Sequence, residues 1–195
     1  METIVKVEVN GKTIEVYQSE GDCRDWDNHC QMIFAGGHRH LGDKHDVVFG
    51  NNYTSAEHFI EKGEMMVRGQ LKDVVVCVPI YLYSHSGMTI STSPFSCQWD
   101  SGCCGFAVVT KADIRKMQGI KRVTQKHIDD AARYLEGEVE TLDQEMRGDV
   151  YGFTIEGDDE LQEDSCGGFY GSDLSTNGMS DYLDQEQIDA LTKAW

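Results

Sequence analysis

The pair Asn10-Gly11 lies between two stretches rich in β-branched residues, and it restricts the fold more than any other short segment of the chain. Residues 4–9 partly alternate between apolar and charged side chains, and residues 13–17 resume this pattern after the pair. Asn and Gly tolerate the positive φ angles of a type I′ turn, which joins two antiparallel strands through two residues. The sequence therefore predicts an N-terminal β-hairpin over residues 1–18.

The middle of the chain contains the strongest strand pattern. Residues 73–83 are β-branched and aromatic, which predicts an inner strand. Pro79 cannot donate a hydrogen bond to a neighbouring strand, so a bulge or an edge is expected there. Residues 88–92 predict a returning strand, residues 93–104 a loop, and residues 105–109 a further strand.

Four segments have the features of helices. Residues 54–62 favour a short helix, and Thr110-Lys111-Ala112-Asp113 is a capping-box pattern that begins a helix ended by Gly119. Residues 184–194 predict a terminal helix. Residues 125–147 predict the longest helix, because apolar residues recur at intervals of three and four. This stripe consists of Ile128, Ala132, Leu135, Val139, Leu142 and Met146.

Residues 150–156 and 165–170 predict a second hairpin, joined by an acidic turn around residues 157–159. Strands joined by hairpins, with helices kept apart from them, are typical of an α+β fold with an antiparallel sheet. We therefore expect one α+β domain over residues 1–195, with one long amphipathic acidic helix and shorter helices.

The acidic residues are unevenly distributed. The net charge is −17, from 34 acidic and 17 basic residues. Residues 125–195 contain 19 acidic and 4 basic residues, whereas residues 61–124 contain 5 and 8. A negative field repels phosphates and attracts cationic partners, so we expect no direct binding of nucleic acid.

The chain has no apolar run long enough to cross a bilayer, and its first residues are charged where a signal peptide is apolar. Seven cysteines without a C-x-x-C spacing indicate reduced thiols in a cytosol. We therefore expect a cytoplasmic protein that binds no membrane, no metal and no cofactor. Homodimer formation is left open.

Two polar strings deserve separate interpretations. His38-Arg39-His40 places two imidazoles on one side of an extended chain, which could chelate zinc, but the spacing up to His45 departs by one residue from known metal motifs. A solvated polar loop is the preferred interpretation.

The second string follows the strong strand. A sheet could bring His85 and Ser86 close to Asp100, so that His85 serves as a general base, Asp100 orients it, and Arg39 contacts an anion. The alternative is an ordinary turn, because Asp, Ser and Gly favour turns for their own backbone reasons.

The acidic C-terminal third is the main candidate for partner binding. The magnitude of its net charge exceeds the value of about 2–8 that keeps a small domain soluble. Carboxylates along a helix can imitate a row of phosphates. The candidate contact residues are Asp129, Asp130, Glu136, Glu138, Glu140, Asp143, Glu145, Asp158, Asp159, Glu160 and Glu163.

Several strings resemble a family of uncharacterised proteins carried by bacteriophages, prophages and plasmids. They are RDWDN (24–28), LGD (41–43), PIYLYSHSG (79–87), STSPFSCQWDSG (91–102), GDVYG (148–152) and DSCGGFYG (164–171). The resemblance covers most of residues 22–171. It implies that the protein is carried by a phage or another mobile element, but it implies no biochemical activity. In that family Asp is usual at 84 and Pro at 98, while the Cys103–Cys104 pair, His40 and His45 are not typical. The polar residues left for testing are Asp25, Asn28, His38, Arg39, Asp43, His85, Ser86, Asp100 and Ser101.

Charge and resemblance together predict an accessory protein of a phage or mobile element, acting in the cytoplasm of a bacterial host. It would bind and inhibit a host defence protein that itself binds nucleic acid, such as a restriction or RNA-guided nuclease. Residues 129–164 would form the contact surface by imitating DNA. The alternative is an enzyme or a small-ligand-binding protein whose site is formed by the loops at 22–46 and 84–102.

Overall fold

A computed structural model describes residues 2–45, 74–97, 99–157 and 164–195. The helix expected at 54–62 lies outside these residues, as do positions 158–163 of the acidic turn. Within the described ranges, no helix has both the length and the apolar character that crossing a membrane requires.

The architecture is α+β with antiparallel sheets, as predicted. The strands are β1 (Thr3–Val9), β2 (Lys12–Gln18), β3 (Gln31–Phe34), β4 (Val74–Ser84), β5 (Met88–Ser91), β6 (Ser101–Thr110), β7 (Val150–Glu156) and β8 (Asp164–Tyr170). The α-helices are α1 (Lys111–Gln118), α2 (Gln125–Arg147) and α3 (Gln185–Ala194). Short 3-10 helices cover Cys23–Asp25, Gly36–Leu41 and Met179–Asp181.

The chain divides into two compact units. Unit 1 comprises Met1–Asp22 and Gln144–Trp195, and unit 2 comprises Cys23–Asp143. The expectation of one domain stays a prediction, because compactness alone does not decide whether a unit folds independently.

Unit 1 contains a four-stranded sheet in the order β1-β2-β7-β8. Asn10 and Gly11 have φ angles of 53° and 74°, so the predicted N-terminal hairpin is confirmed with its type I′ turn conformation. β7 and β8 form the second predicted hairpin. One face of this sheet is apolar and packs with residues of the C-terminal region. The buried cluster includes Val5, Ile14, Val16, Phe153, Met179, Leu183, Ile188 and Leu191.

The terminal helix α3 is confirmed, and its first turn explains where it begins. Asp184 accepts a hydrogen bond from the backbone of Gln187, and the Gln187 side chain accepts one from the backbone of Asp184. This reciprocal capping box satisfies two backbone donors that the helix itself leaves unpaired. Ile188 and Leu191 then lie on the buried face.

Unit 2 contains a second four-stranded sheet in the order β3-β6-β4-β5. β4 is an inner strand, as predicted. Pro79 pairs with Phe106, but β5 pairs with β4 only from Tyr81, and the register with β6 shifts between Ile80 and Tyr81. The proline therefore lies beside a bulge, at a point where β5 does not reach β4, as its missing donor requires.

Two features of this sheet differ from the sequence prediction. β3 was not predicted, because its four residues lie within a polar, glycine-rich region and are too few for a periodic pattern. β6 begins at Ser101 rather than at Gly105, so the predicted loop over 93–104 was too long. Gly102 and Cys103 extend the strand because Leu82 and Tyr81 of β4 provide paired backbone groups.

The two helices of the central region have the predicted boundaries. Thr110 caps α1 through a reciprocal hydrogen-bond pair with Asp113, and Gly119 ends the helix with a φ angle of 63°. α2 covers the predicted range, and its buried residues are Ala131, Leu135, Val139 and Leu142. Ala131, and not Ala132, completes the buried stripe.

The buried stripe of α2 supports a stability prediction. Leu135 is fully buried, so Leu135→Ala should lower the free energy of unfolding by about 2–5 kcal/mol through lost burial and a cavity. The neighbouring exposed residue provides the control, since Glu136→Ala should change it by less than about 0.5 kcal/mol. Urea unfolding followed by circular dichroism measures both values. Equal losses would show that α2 does not pack as described.

Candidate binding surface

The acidic residues of α2 serve different purposes. The helix has a buried stripe centred on Leu135 and Val139, and its carboxylates lie beside or opposite that stripe. Some of them bond to other parts of unit 2, whereas others are exposed and accept no such hydrogen bond. The candidate contact residues therefore separate into structural and exposed groups.

Glu138 belongs to the structural group. Its side chain is only 15% exposed and accepts hydrogen bonds from the backbone N–H of His29 at 2.6 Å and of Cys30 at 3.3 Å. The Cys30 thiol donates a third, at 3.0 Å, and Arg24 Nη1 lies at 3.3 Å. The carboxylate therefore attaches the segment 23–30 to α2, and it has little surface left for a partner.

Arg24 connects Glu138 to a second carboxylate. Its Nη2 lies 2.5 Å from Asp43 Oδ2, and it also donates to the carbonyl of Cys30 at 3.0 Å. Asp43 in turn accepts from the backbone N–H of Met32 at 2.7 Å, which attaches the residue to β3. We call Arg24, Asp43 and Glu138 the Arg24 network. It joins three segments that are distant in sequence.

Electrostatics within the Arg24 network favour the charged arginine. Burial by itself would lower the pKa of Arg24, but the hydrogen bond and charge of Asp43, together with the charge of Glu138, raise it. The same surroundings affect Cys30. Burial and the adjacent Glu138 carboxylate raise the pKa of this thiol strongly, so it stays protonated and acts as a donor.

Asp143 is also structural. Its Oδ1 accepts hydrogen bonds from Thr89 Oγ1 at 2.6 Å and from the backbone N–H of Ile90 at 2.8 Å. Both donors belong to β5, which forms one edge of its sheet. The carboxylate thus occupies a backbone donor on an edge strand, where an unpaired group could otherwise pair with another chain.

The exposed group on α2 is smaller than predicted. Asp129, Glu136 and Glu140 are exposed, and their spacing places them on one face at about 100° per residue. Glu136 and Glu140 also line a groove of about 490 Å³ between α2 and β5, which Arg133 and Thr92 border as well. Asp130 differs from these three, because it is half-buried and pairs with Arg133.

The remaining candidate residues are the last one on α2, Glu145, and four residues of the acidic turn. Glu145 belongs to unit 1, where its Oε2 accepts a hydrogen bond from the Tyr170 hydroxyl at 3.2 Å. Asp158, Asp159, Glu160 and Glu163 lie outside the described residues.

Most of the negative charge belongs to unit 1. Unit 1 has 18 acidic and 4 basic residues, a net charge of −14, whereas unit 2 has 16 and 13, a net charge of −3. Residues 1–22 contribute to the acidic unit although they are distant in sequence from the acidic last third. The distribution of charge along the sequence does not predict this grouping. Residues 1–22 and 144–195 come together in the fold, where β2 pairs with β7.

Unit 1 presents its acidic residues on two described surfaces. On the polar face of its sheet, Glu8 and Glu156 both pair in register with Thr13, so they flank one position of β2. Glu15 lies on the same face and accepts a hydrogen bond from Lys6 at 3.2 Å. At and before α3, the exposed acidic residues are Asp181, Asp184, Glu186 and Asp189.

The predicted meeting of His85 with Asp100 is found, but in an open setting. His85 Nδ1 lies 3.7 Å from Asp100 Oδ2, and the His85 side chain is 68% exposed. Cys97 Sγ lies 3.6 Å from the same carboxylate oxygen. Ser86 occupies the turn with a φ angle of 59°, in line with the turn interpretation.

Arg39 is not part of this group among the described residues. It lies in the 3-10 helix after β3 and donates to the carbonyl of His45 at 2.7 Å. His45 Nε2 lies 2.9 Å from the carbonyl of Phe34, so the histidine-rich string is bonded to its own loop. In the described ranges, no group of three or more His, Cys, Asp or Glu side chains is placed to hold a metal ion.

The seven cysteines are all within the described residues, and all are free. Burial, with the neighbouring Cys103 as a smaller cause, raises the pKa of Cys77 to about 11 and that of Cys104 to about 12. These thiols are therefore poor nucleophiles at neutral pH, which agrees with a structural role.

Comparison with protein-family models, with curated proteins and with solved structures gave no match. The resemblance to the phage-borne family therefore stays a prediction. The charges and contacts described above are the structural basis for any functional assignment.

The Arg24 network supports a prediction about stability. Arg24→Ala leaves two half-buried carboxylates, Asp43 and Glu138, without their cation, so we expect the free energy of unfolding to fall by about 1–3 kcal/mol. Arg39→Ala is the matched control. Because Arg39 is exposed, this substitution should lower the free energy of unfolding by less than about 0.5 kcal/mol. Urea unfolding at neutral pH measures both. Similar values for the two variants would contradict the structural role of the network.

The buried thiols support a prediction about pH. Above the ordinary thiol pKa of 9.0, the unfolded chain releases the Cys77 proton, whereas the folded chain retains it up to about 11. Since the folded state then binds more protons, the free energy of unfolding should decrease between these values. Cys77→Ala should show a shallower decrease in urea unfolding under reducing conditions. Identical slopes for the variant and the original chain would refute the shift.

Proposed function

We propose that this protein is a binding protein whose acidic surface engages a strongly basic macromolecule. The observation that carries the proposal is the charge of unit 1, which is −14 for a unit of 74 residues. Like charges at this density repel one another and lower stability, so their retention indicates a use in binding. Four basic residues within the unit are too few to balance them.

Each unit has its own set of exposed acidic residues, and we treat the two sets as separate candidate contact surfaces. In unit 1 these are the acidic residues on the polar sheet face and around α3. In unit 2 they are Asp129, Glu136 and Glu140 on the exposed face of α2. Glu138 and Asp143 are excluded from this surface, because their carboxylates are occupied by hydrogen bonds within unit 2.

The partner class follows from the charge. Proteins that bind nucleic acid present grooves rich in Lys and Arg, and rows of carboxylates can compete for such grooves. With the resemblance to phage-borne proteins, this favours inhibition of a host nuclease or another nucleic-acid-binding defence protein in the bacterial cytoplasm. The protein would then act by occupying the partner's nucleic-acid groove.

Affinity capture from a bacterial host lysate, at low and high salt, tests the proposal. We expect nucleic-acid-binding proteins to be retained at low salt, released at high salt by screening, and displaced by added duplex DNA. The double variants Glu8→Gln with Glu156→Gln, and Glu136→Gln with Glu140→Gln, should each lower recovery by about threefold or more. Each removes two charges, one pair from each unit.

Two results would overturn the proposal. One is retention that neither salt nor duplex DNA reduces. The other is recovery that both double variants leave unchanged.

A second candidate, an enzyme or small-ligand binder, is favoured by one observation, the approach of His85 and Cys97 to the same oxygen of Asp100. The variant His85→Ala distinguishes the two candidates through two measurements, partner capture and small-molecule turnover. This variant should leave capture unchanged if the acidic surface is the functional part, and it should abolish any small-molecule turnover if the His85 site is.

A further inference from the structure

A second charged surface lies in unit 2 and has the opposite sign. Residues 111–126 contain six basic residues and one acidic residue, Asp113. The basic residues are Lys111, Arg115, Lys116, Lys121, Arg122 and Lys126, which we call the basic segment. Five of them are exposed, and Lys111 is half-buried.

The cations of the basic segment have no partners within the described part of the chain. None of the six side chains forms a hydrogen bond or an ion pair there, although the whole chain has twice as many acidic as basic residues. Asp113, the acidic residue among them, is occupied in the capping box with Thr110. Five of the six side chains are therefore exposed, and the positive charge of the segment is not paired by any residue that the structure describes.

The cations at the start of α2 lie where the helix dipole already leaves a partial positive charge, which is unfavourable. Acidic residues are favoured in the first turn of a helix, where the aligned peptide dipoles leave a partial positive charge. α2 has no acidic residue in its first turn and has Lys126 as its second residue, with Lys121 and Arg122 just before it. A bound anion would relieve this local excess of positive charge.

We infer that the basic segment binds the phosphate backbone of a nucleic acid. Its cations extend over α1, the connecting residues and the start of α2, so they match several phosphates along a polymer better than one small anion. Protein–DNA contacts of this kind depend mainly on Lys and Arg, and they need no apolar core.

The apolar side chains of the segment argue against two other kinds of partner, an anionic membrane and an acidic protein. Ile114 is buried, and Met117, Ile120 and Val123 are half-buried, so no large apolar side chain is exposed. An interfacial helix inserts exposed apolar residues into a membrane, and the core of a protein interface is likewise built from apolar and aromatic anchors. The segment lacks both features.

This inference revises the expectation that the net charge excludes nucleic acid. The net charge of −17 is an average, and unit 2 carries only −3 of it. At physiological salt the Debye length is about 8 Å, so charges farther away are largely screened. The inference does not depend on the acidic surface, and either can fail without the other.

Fluorescence anisotropy of the full chain with labelled random-sequence duplex DNA, and with single-stranded RNA of equal length, tests the inference. We expect salt-dependent binding to at least one of them, and the comparison of the two arms identifies the preferred polymer. Arg115→Gln with Lys116→Gln, and Arg122→Gln with Lys126→Gln, should each weaken binding. Each should also reduce the slope of log K against log salt by about 0.9 for every phosphate contact removed.

The control variant is Lys12→Gln with Lys193→Gln, which removes two exposed cations of unit 1 and should leave binding and slope unchanged. Circular dichroism melting checks that every variant is folded. The inference is overturned if neither nucleic acid binds at low salt, or if the control loses as much affinity as the segment variants. It is also overturned if anionic vesicles, or a second copy of the chain, bind the segment and nucleic acid does not.

Discussion

Unit 2 depends on the attachment of residues 23–45 to the long helix through half-buried charged side chains. Arg24 lies between Asp43 and Glu138, and these carboxylates also accept backbone donors from Met32, His29 and Cys30. Such a network stabilises only when every member has its partners, because each unpaired charge would be costly in a poorly hydrated site. The polar loops that precede and follow β3 are held in this way, without an extensive apolar pattern of their own.

The same requirement explains why much of the acidic character of α2 is unavailable for binding. A carboxylate beside the buried stripe meets backbone donors of neighbouring segments, and there it serves as a hydrogen-bond acceptor. A carboxylate that accepts no such hydrogen bond and is exposed keeps its charge available to a partner. Hydrogen bonds to neighbouring segments therefore distinguish Glu138 and Asp143 from the exposed Glu136 and Glu140. Asp143 lines the same groove as Glu136 and Glu140, so position around the helix alone does not decide which carboxylate is occupied.

Charge separation between the two units connects the two surfaces described above. Unit 1 is strongly acidic, whereas unit 2 is close to balance, and the cations of its basic segment form no hydrogen bond or ion pair among the described residues. Proteins that bind nucleic acid are basic where they contact it, and complexes of such proteins with nucleic acid present both signs of charge. The acidic unit and the basic segment are the basis of the two separate proposals made above.

The sequence by itself determined the local structure wherever the signal is local. The Asn10-Gly11 turn, the capping box at Thr110 and the positions of Leu135, Val139 and Leu142 on the buried stripe of α2 each depend on residues within about four positions of one another, and they are confirmed. The early start of β6, the existence of β3 and the burial of Glu138 depend on partners far away along the chain. Only the tertiary structure could decide these, because the pairing of distant backbone groups and charges leaves no periodic trace in the segment itself.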